Sequence, residues 1–98
     1  MIISFSDKST EDLFNRKFVR HFPHNIQRLA YRKLLLLDGA ERIDDLRMPP
    51  GNKLEKLSGD LSGKYSIRIN DQWRIIFSWK GNNAYEVEVT DYHKGLRL

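Results

Sequence analysis

Two arginines in the second half of the chain, Arg68 and Arg74, have the residue type and the spacing to bind an anion. Tyr65, Ile67 and Ile69 read as one face of a strand, and Trp73, Ile75, Phe77 and Trp79 as the matching face of the next, because strand side chains alternate faces. Asn70, Asp71 and Gln72 are then the turn. In that register Ile69 faces Trp73, Arg68 faces Arg74 and Ile67 faces Ile75, and both arginines project from the face without the aromatic and aliphatic set. Like charges directly opposite destabilise a sheet. Such a pair either splays into water or brings an anion between its members, and a guanidinium meets phosphate in a bidentate fork. At this point both readings stand.

The elements that must position this pair follow from the rest of the chain. Ile2, Ile3 and Phe5 suggest a short first strand. Ser9 fits an N-cap with Asp12 in the capping-box position, after which Leu13, Phe14 and Phe18 make a short apolar stripe. Pro23 suits a helix start. Ile26, Leu29, Ala30, Leu34 and Leu37 then follow the spacing of a core-facing helix up to Gly39, a candidate C-terminal cap. Arg28, Arg32 and Lys33 lie mostly off that stripe and read as a solvated face, with nucleic-acid contact the alternative. The connector Glu41 to Asp60 contains Met48-Pro49-Pro50-Gly51, which can neither continue a helix nor join a central strand. Asn52, Lys53 and Lys56 follow it on a shaped loop, with Leu54 and Leu57 placed to pin the segment and the lysines outward. Loops on a rigid scaffold are where binding groups concentrate, although a solubilising basic loop fits the same composition. The last strand alternates Tyr85, Val87 and Val89 inward with Glu86, Glu88 and Thr90 outward, and delivers Asp91, Tyr92 and His93 to the sheet edge. Helices followed by strands give an α+β domain, two N-terminal helices on a twisted antiparallel sheet.

Composition bounds the chemistry. The 98 residues, with 40% hydrophobic, supply one core and a single domain over 1–98. Seventeen Lys and Arg against 13 Asp and Glu give +4, a lean toward nucleic acid or another polyanion. There is no cysteine, and His21, His24 and His93 lack zinc-site spacing, so neither a metal nor another cofactor is expected. The amino terminus has no signal-peptide pattern, and the longest apolar run, Leu34 to Leu37, is too short for a bilayer; a cytoplasmic protein without membrane contact is expected. Gly-rich phosphate loops, GxSxG elbows and HExxH helices are missing.

Three runs resemble a known family. They are Pro49-Pro50-Gly51-Asn52-Lys53-Leu54-Glu55-Lys56-Leu57-Ser58-Gly59, then Tyr65-Ser66-Ile67-Arg68-Ile69-Asn70-Asp71-Gln72-Trp73-Arg74-Ile75-Ile76-Phe77, and finally Val87-Glu88-Val89-Thr90-Asp91-Tyr92-His93. Together they resemble the HigB toxins, or plasmid-maintenance killer proteins, of the RelE-like superfamily in type II toxin–antitoxin systems. The resemblance covers essentially the whole chain and implies a microbial-ribonuclease-like fold. It also implies a ribosome-dependent endoribonuclease that cuts messenger RNA in the decoding site and halts translation. The implied partners are the ribosome with its message and a HigA-like helix-turn-helix antitoxin, with DNA reached only through that antitoxin.

By the same resemblance, Arg68, Arg74, Asp91, Tyr92 and His93 are the catalytic candidates, and Asn52, Lys53 and Lys56 the RNA-binding ones. RNA cleavage by internal transfer needs a base for the 2′-hydroxyl, charge stabilisation at the phosphate and a proton for the leaving 5′-oxygen. Arg74 is expected to clamp the phosphate with Arg68 assisting, His93 to transfer protons, Tyr92 to stack on a base or donate a hydrogen bond, and Asp91 to orient His93 or act as base. Some HigB relatives carry a histidine in the loop before the sheet where this chain has Asn52 and Lys53, which leaves the second proton-transfer group open. A non-catalytic RNA- or partner-binding module of the same fold is the alternative.

Overall fold

Pro23, whose fixed φ and missing N–H suit a helix entrance, precedes the long helix α2, His24–Gly39. The computed structural model of the chain describes residues 1–91. A shorter helix, α1 (Lys8–Phe14), comes before α2, and four strands follow: β1 (Glu55–Lys56), β2 (Lys64–Arg68), β3 (Trp73–Lys80) and β4 (Asn83–Asp91). They form one antiparallel sheet in the order β1-β2-β3-β4. Three 3-10 turns, Ile43–Arg47, Pro50–Asn52 and Gly59–Leu61, shape the connector expected as a loop, and its Glu55 and Lys56 add an edge strand.

One face of the sheet is covered by helices. Ile26, Ala30, Leu34 and Leu37, spaced to share one side of α2, are buried together with Ile67, Ile75, Phe77, Ala84, Val87 and Val89. Tyr65 and Trp79 flank Phe77, and Trp73 meets the edge of Phe22 with ring centroids 5.5 Å apart. Leu29, expected on this stripe, is 41% exposed, because it follows Gln27 and Arg28 onto the flank of the helix. Phe18 lies past the end of α1 and is 67% exposed, so the first apolar stripe stops at Phe14. The N-cap of α1 is Asp7 rather than Ser9: its carboxylate accepts from the Thr10 amide. Gly39 is the last helical residue and Ala40 the cap, in extended backbone that needs no glycine.

The β2–β3 register agrees with the sequence reading, pairing Ile67 with Ile75 and Arg68 with Arg74. Asn70 fixes the turn, its side-chain oxygen accepting from the amides of Gln72 at 2.9 Å and Trp73 at 2.8 Å. In β4 the expected alternation breaks. Ile76 pairs with Glu88 but Ser78 pairs with Tyr85, so two steps along β3 oppose three along β4. Glu86, at φ 53°, absorbs the extra residue as a bulge. The phase therefore switches, moving Tyr85 off the core face and putting Ala84, fully buried, in its place.

The outer side of β4 is closed by the start of the chain. Ile2 and Phe5 form parallel bridges with Ala84 and Val87, isolated pairings in place of the short first strand expected. Ser4 Oγ accepts from the Glu86 amide and Ser6 Oγ donates to the Glu86 carbonyl, so both polar groups of the bulge are met. One step further, the buried Thr10 hydroxyl oxygen accepts from the Val89 amide at 2.9 Å, tying α1 to β4. Thr10→Val keeps the shape but leaves that buried N–H without its acceptor, and urea unfolding should read a loss of about 1–3 kcal/mol. Unchanged stability would mean that the bond carries no weight.

Candidate active site

The sheet face turned away from the helices carries rows of side chains set by the register. Arg68, Arg74 and Thr90 make one row, and Glu55, Ser66, Ile76 and Glu88 make the next. Ser66 and Ile76 are buried and form the floor.

Arg74 is not a solvated surface arginine. It is only 7% exposed, and protein acceptors hold its guanidinium: Nη2 donates to the Lys53 carbonyl at 2.8 Å, and Nη1 lies 3.5 Å from Glu55 Oε1. Arginine keeps its charge at any accessible pH, so burial here has to be compensated by fixed oxygens rather than by loss of a proton. Arg68 is half-buried and pairs with the exposed carboxylate of Asp71 across the turn. The opposed cations thus lean on different anions.

Lys53 presents its carbonyl to Arg74 because the chain turns sharply there. It caps the Pro50–Asn52 turn in left-handed backbone, φ 45°, with its own side chain exposed. Asn52 carries the support for this shape. Its amide donates to the Leu46 and Met48 carbonyls at 3.1 and 3.2 Å, and its side-chain oxygen accepts from Lys33 Nζ. With no exposed surface, Asn52, expected as an RNA contact, braces this turn from inside the protein. Lys33, read from sequence as solvated, instead reaches across to this turn. Burial, and then the nearby Arg68 charge, push its ammonium below the ordinary lysine range.

Lys56 is also placed differently. It pairs with Tyr65 while Glu55 pairs with Ser66, so alternation puts Lys56 on the opposite side of the edge strand from the arginines. Glu55, not singled out from sequence, faces them. Asp91 pairs with Trp73 at the end of the sheet, and its Oδ2 accepts from Gln72 Nε2 at 2.7 Å. By register it stands on the Trp73 side, one residue after the Arg74 row. Tyr92 and His93 lie outside the described residues. Among the described residues no cluster of His, Asp and Glu is arranged to hold a metal ion.

A profile described as the RelE-like toxin of type II toxin–antitoxin system HigB matches residues 3–93. The chain belongs to the HigB-like toxin family. Toxin HigB-1 of Vibrio cholerae is 45% identical over 95 residues, covering 96% of this chain and 99% of that one. Endoribonuclease HigB of Proteus vulgaris is 34% identical over 94 residues, covering 95% and 100%. Among solved structures, the YoeB-YefM complex from Staphylococcus aureus superposes with a TM-score of 0.59 at 22% identity, over 92% of this chain and 95% of that one, which extends the likeness of fold. A HigB-like toxin therefore presents, on the face away from its helices, a buried arginine opposite a half-buried one.

Glu88, expected to point outward, is half-buried on the same face. Burial, reinforced by Asp7 and opposed by Lys64, raises its pKa above the usual carboxylate range. A carboxyl whose folded pKa exceeds its unfolded one binds protons better in the folded state, so its penalty is absent below the unfolded pKa and complete above the folded one. Stability should accordingly fall as pH rises through that window. Glu88→Gln should be more stable at neutral pH, and its urea midpoint should vary less between mildly acidic and neutral solution than that of wild type.

Proposed function

We propose that this HigB-like toxin is an endoribonuclease that cleaves messenger RNA within the ribosome. The observation that carries the reading is the Arg68–Arg74 pair: a buried guanidinium fixed by Lys53 and Glu55 beside a second on the neighbouring strand is organised to meet phosphate oxygens as charge builds on them. The name of the Proteus vulgaris relative, an endoribonuclease, supports the reaction class.

In this reading Arg74 stabilises the phosphorane-like charge and Arg68 assists. His93, following β4, gives or takes the proton, Tyr92 stacks on a base beside the cut, and Asp91 orients His93 from the end of the strand. Lys53 contributes positive charge at the rim. Attack of the ribose 2′-oxygen on the adjacent phosphorus forms the new P–O bond as the P–O bond to the 5′-oxygen breaks. The 2′-hydroxyl proton leaves to a base and the departing oxygen gains one. With a single histidine proposed on the site, the ribosome supplies much of the alignment, and catalysis rests on orientation as much as on acid–base strength. The partner in the cell is an antitoxin of the HigA-like helix-turn-helix kind, through which the pair reaches DNA, and the toxin acts in the cytoplasm. An antitoxin partner has support from the YoeB-YefM toxin–antitoxin complex, which shares the fold.

Mapping of 5′ ends on a defined message, with and without translating ribosomes, tests this directly. Wild type should generate new ends only when ribosomes are present. Arg74→Ala should slow cleavage about 100- to 1000-fold, the usual cost of removing a preorganised charge-stabilising donor, and His93→Gln about 100-fold or more. If wild type binds RNA and no new ends arise under any condition, the protein is a binding module instead.

A further inference from the structure

Lys33 is a partly buried cation that has a neutral partner in place of a carboxylate. It projects from α2, is half-buried, and donates to the neutral side-chain oxygen of Asn52. Among the described residues no carboxylate lies within ion-pair distance of it, whereas Arg68 has Asp71 and Arg74 has Glu55. The same Asn52 braces the turn whose next carbonyl holds Arg74, and that turn packs on β2, the strand carrying Arg68. Hydrogen bonds around this one loop thus hold two cations, Lys33 from a helix and Arg74 from a strand, and the loop packs on the strand that carries a third, Arg68, whose charge acts on Lys33. Drawing an ammonium out of water toward a guanidinium is unfavourable by itself, as the lowered proton affinity of Lys33 reflects. An anion bound among the three reverses the sign of that interaction.

We propose that Lys33, Arg68 and Arg74 form one cradle for the RNA backbone, in which Lys33 binds the phosphate neighbouring the one held by Arg74. This rests on reading the site as RNA-binding. It assigns to α2, otherwise a core-covering helix, a direct contact with substrate, and it places the track of the strand past the Asn52 turn. Lys53, with its side chain exposed on the same turn, widens the positive rim on that track.

The test measures binding of a short 2′-O-methyl RNA oligonucleotide, which cannot undergo internal transfer, over a range of salt concentrations. Loss of one phosphate contact on a single strand should reduce the slope of log K against log salt by about 0.7. Lys33→Gln should show that reduction together with weaker binding at low salt, while its amide can still donate to Asn52. Lys33→Arg, which keeps the charge, should restore the wild-type slope. An unchanged slope in Lys33→Gln, or no salt-dependent binding by wild type, overturns the cradle. If Lys33→Gln fails to fold, the Lys33→Arg result decides alone: a slope reduced as much as one lost contact requires would overturn the proposal. Cleavage assays on ribosomes separate the two readings. A slope loss in Lys33→Gln without cleavage by wild type keeps the cradle and removes the nuclease, and cleavage with an unaltered slope does the reverse.

Discussion

The nearly complete burial of the Arg74 guanidinium is the constraint around which the rest of the structure is arranged. Histidine or lysine in such a place could shed a proton, but arginine cannot, so oxygen acceptors have to be delivered to it and held there. One comes from the Lys53 backbone, and it points the right way only because the chain enters left-handed geometry after the Pro50–Asn52 turn. That turn keeps its form through the buried Asn52 amide, which in turn meets Lys33 on α2. A second acceptor, Glu55, arrives because two residues of the connector pair with β2. The proline-rich connector is thus the scaffold of a single charged group, and the sheet and helix it touches are held in relation to that group.

Preorganisation of this kind has an energetic logic. Protein acceptors already share the hydrogen-bonding capacity of Arg74, so the residue is fixed before any substrate arrives and little ordering remains when one binds. Glu55 is exposed enough for water to weaken its hold, which leaves the guanidinium able to answer a second anion at close range. A residue such as Arg68, paired with a fully solvated aspartate at a turn, can exchange that partner readily. The pair therefore combines one fixed cation with one adjustable one.

The hairpin that carries these arginines was legible in the sequence because its signals are local: alternating apolar residues on both sides of a turn-forming Asn-Asp-Gln leave one sensible register. Helix α2 was equally legible from Ile26, Ala30, Leu34 and Leu37. What escaped depends on single residues with no periodic trace. Glu86 shifts the phase of β4 by adopting a conformation that glutamate does not advertise, so Tyr85 and Ala84 exchange faces. Glu55 and Lys56 lie in a strand too short for alternation to reveal which of them faces the arginines. Lys33 could be placed on the flank of its helix, but a helical wheel gives direction and not reach, and nothing in the residue order connects it with Asn52. Asp7 and Ser9 are both good caps, and the choice falls to Asp7 because its carboxylate meets the Thr10 amide while the Thr10 hydroxyl serves β4.

The two margins of the sheet have a consequence for how this protein behaves in company. On the β4 side, residues 1–6 meet outward backbone groups of Ala84, Glu86 and Val87, and Thr10 meets the Val89 amide. On the other side the margin is a two-residue strand bearing one acid and one base. Sheets propagate between molecules when a long, flat, uncharged margin offers its backbone to a newcomer. Here a newcomer finds either a margin already filled or one too brief and too charged to template growth. Self-association by strand stacking is therefore disfavoured. A molecule that seizes this one has to recognise side chains and shape, and that leaves its specificity free to be set residue by residue.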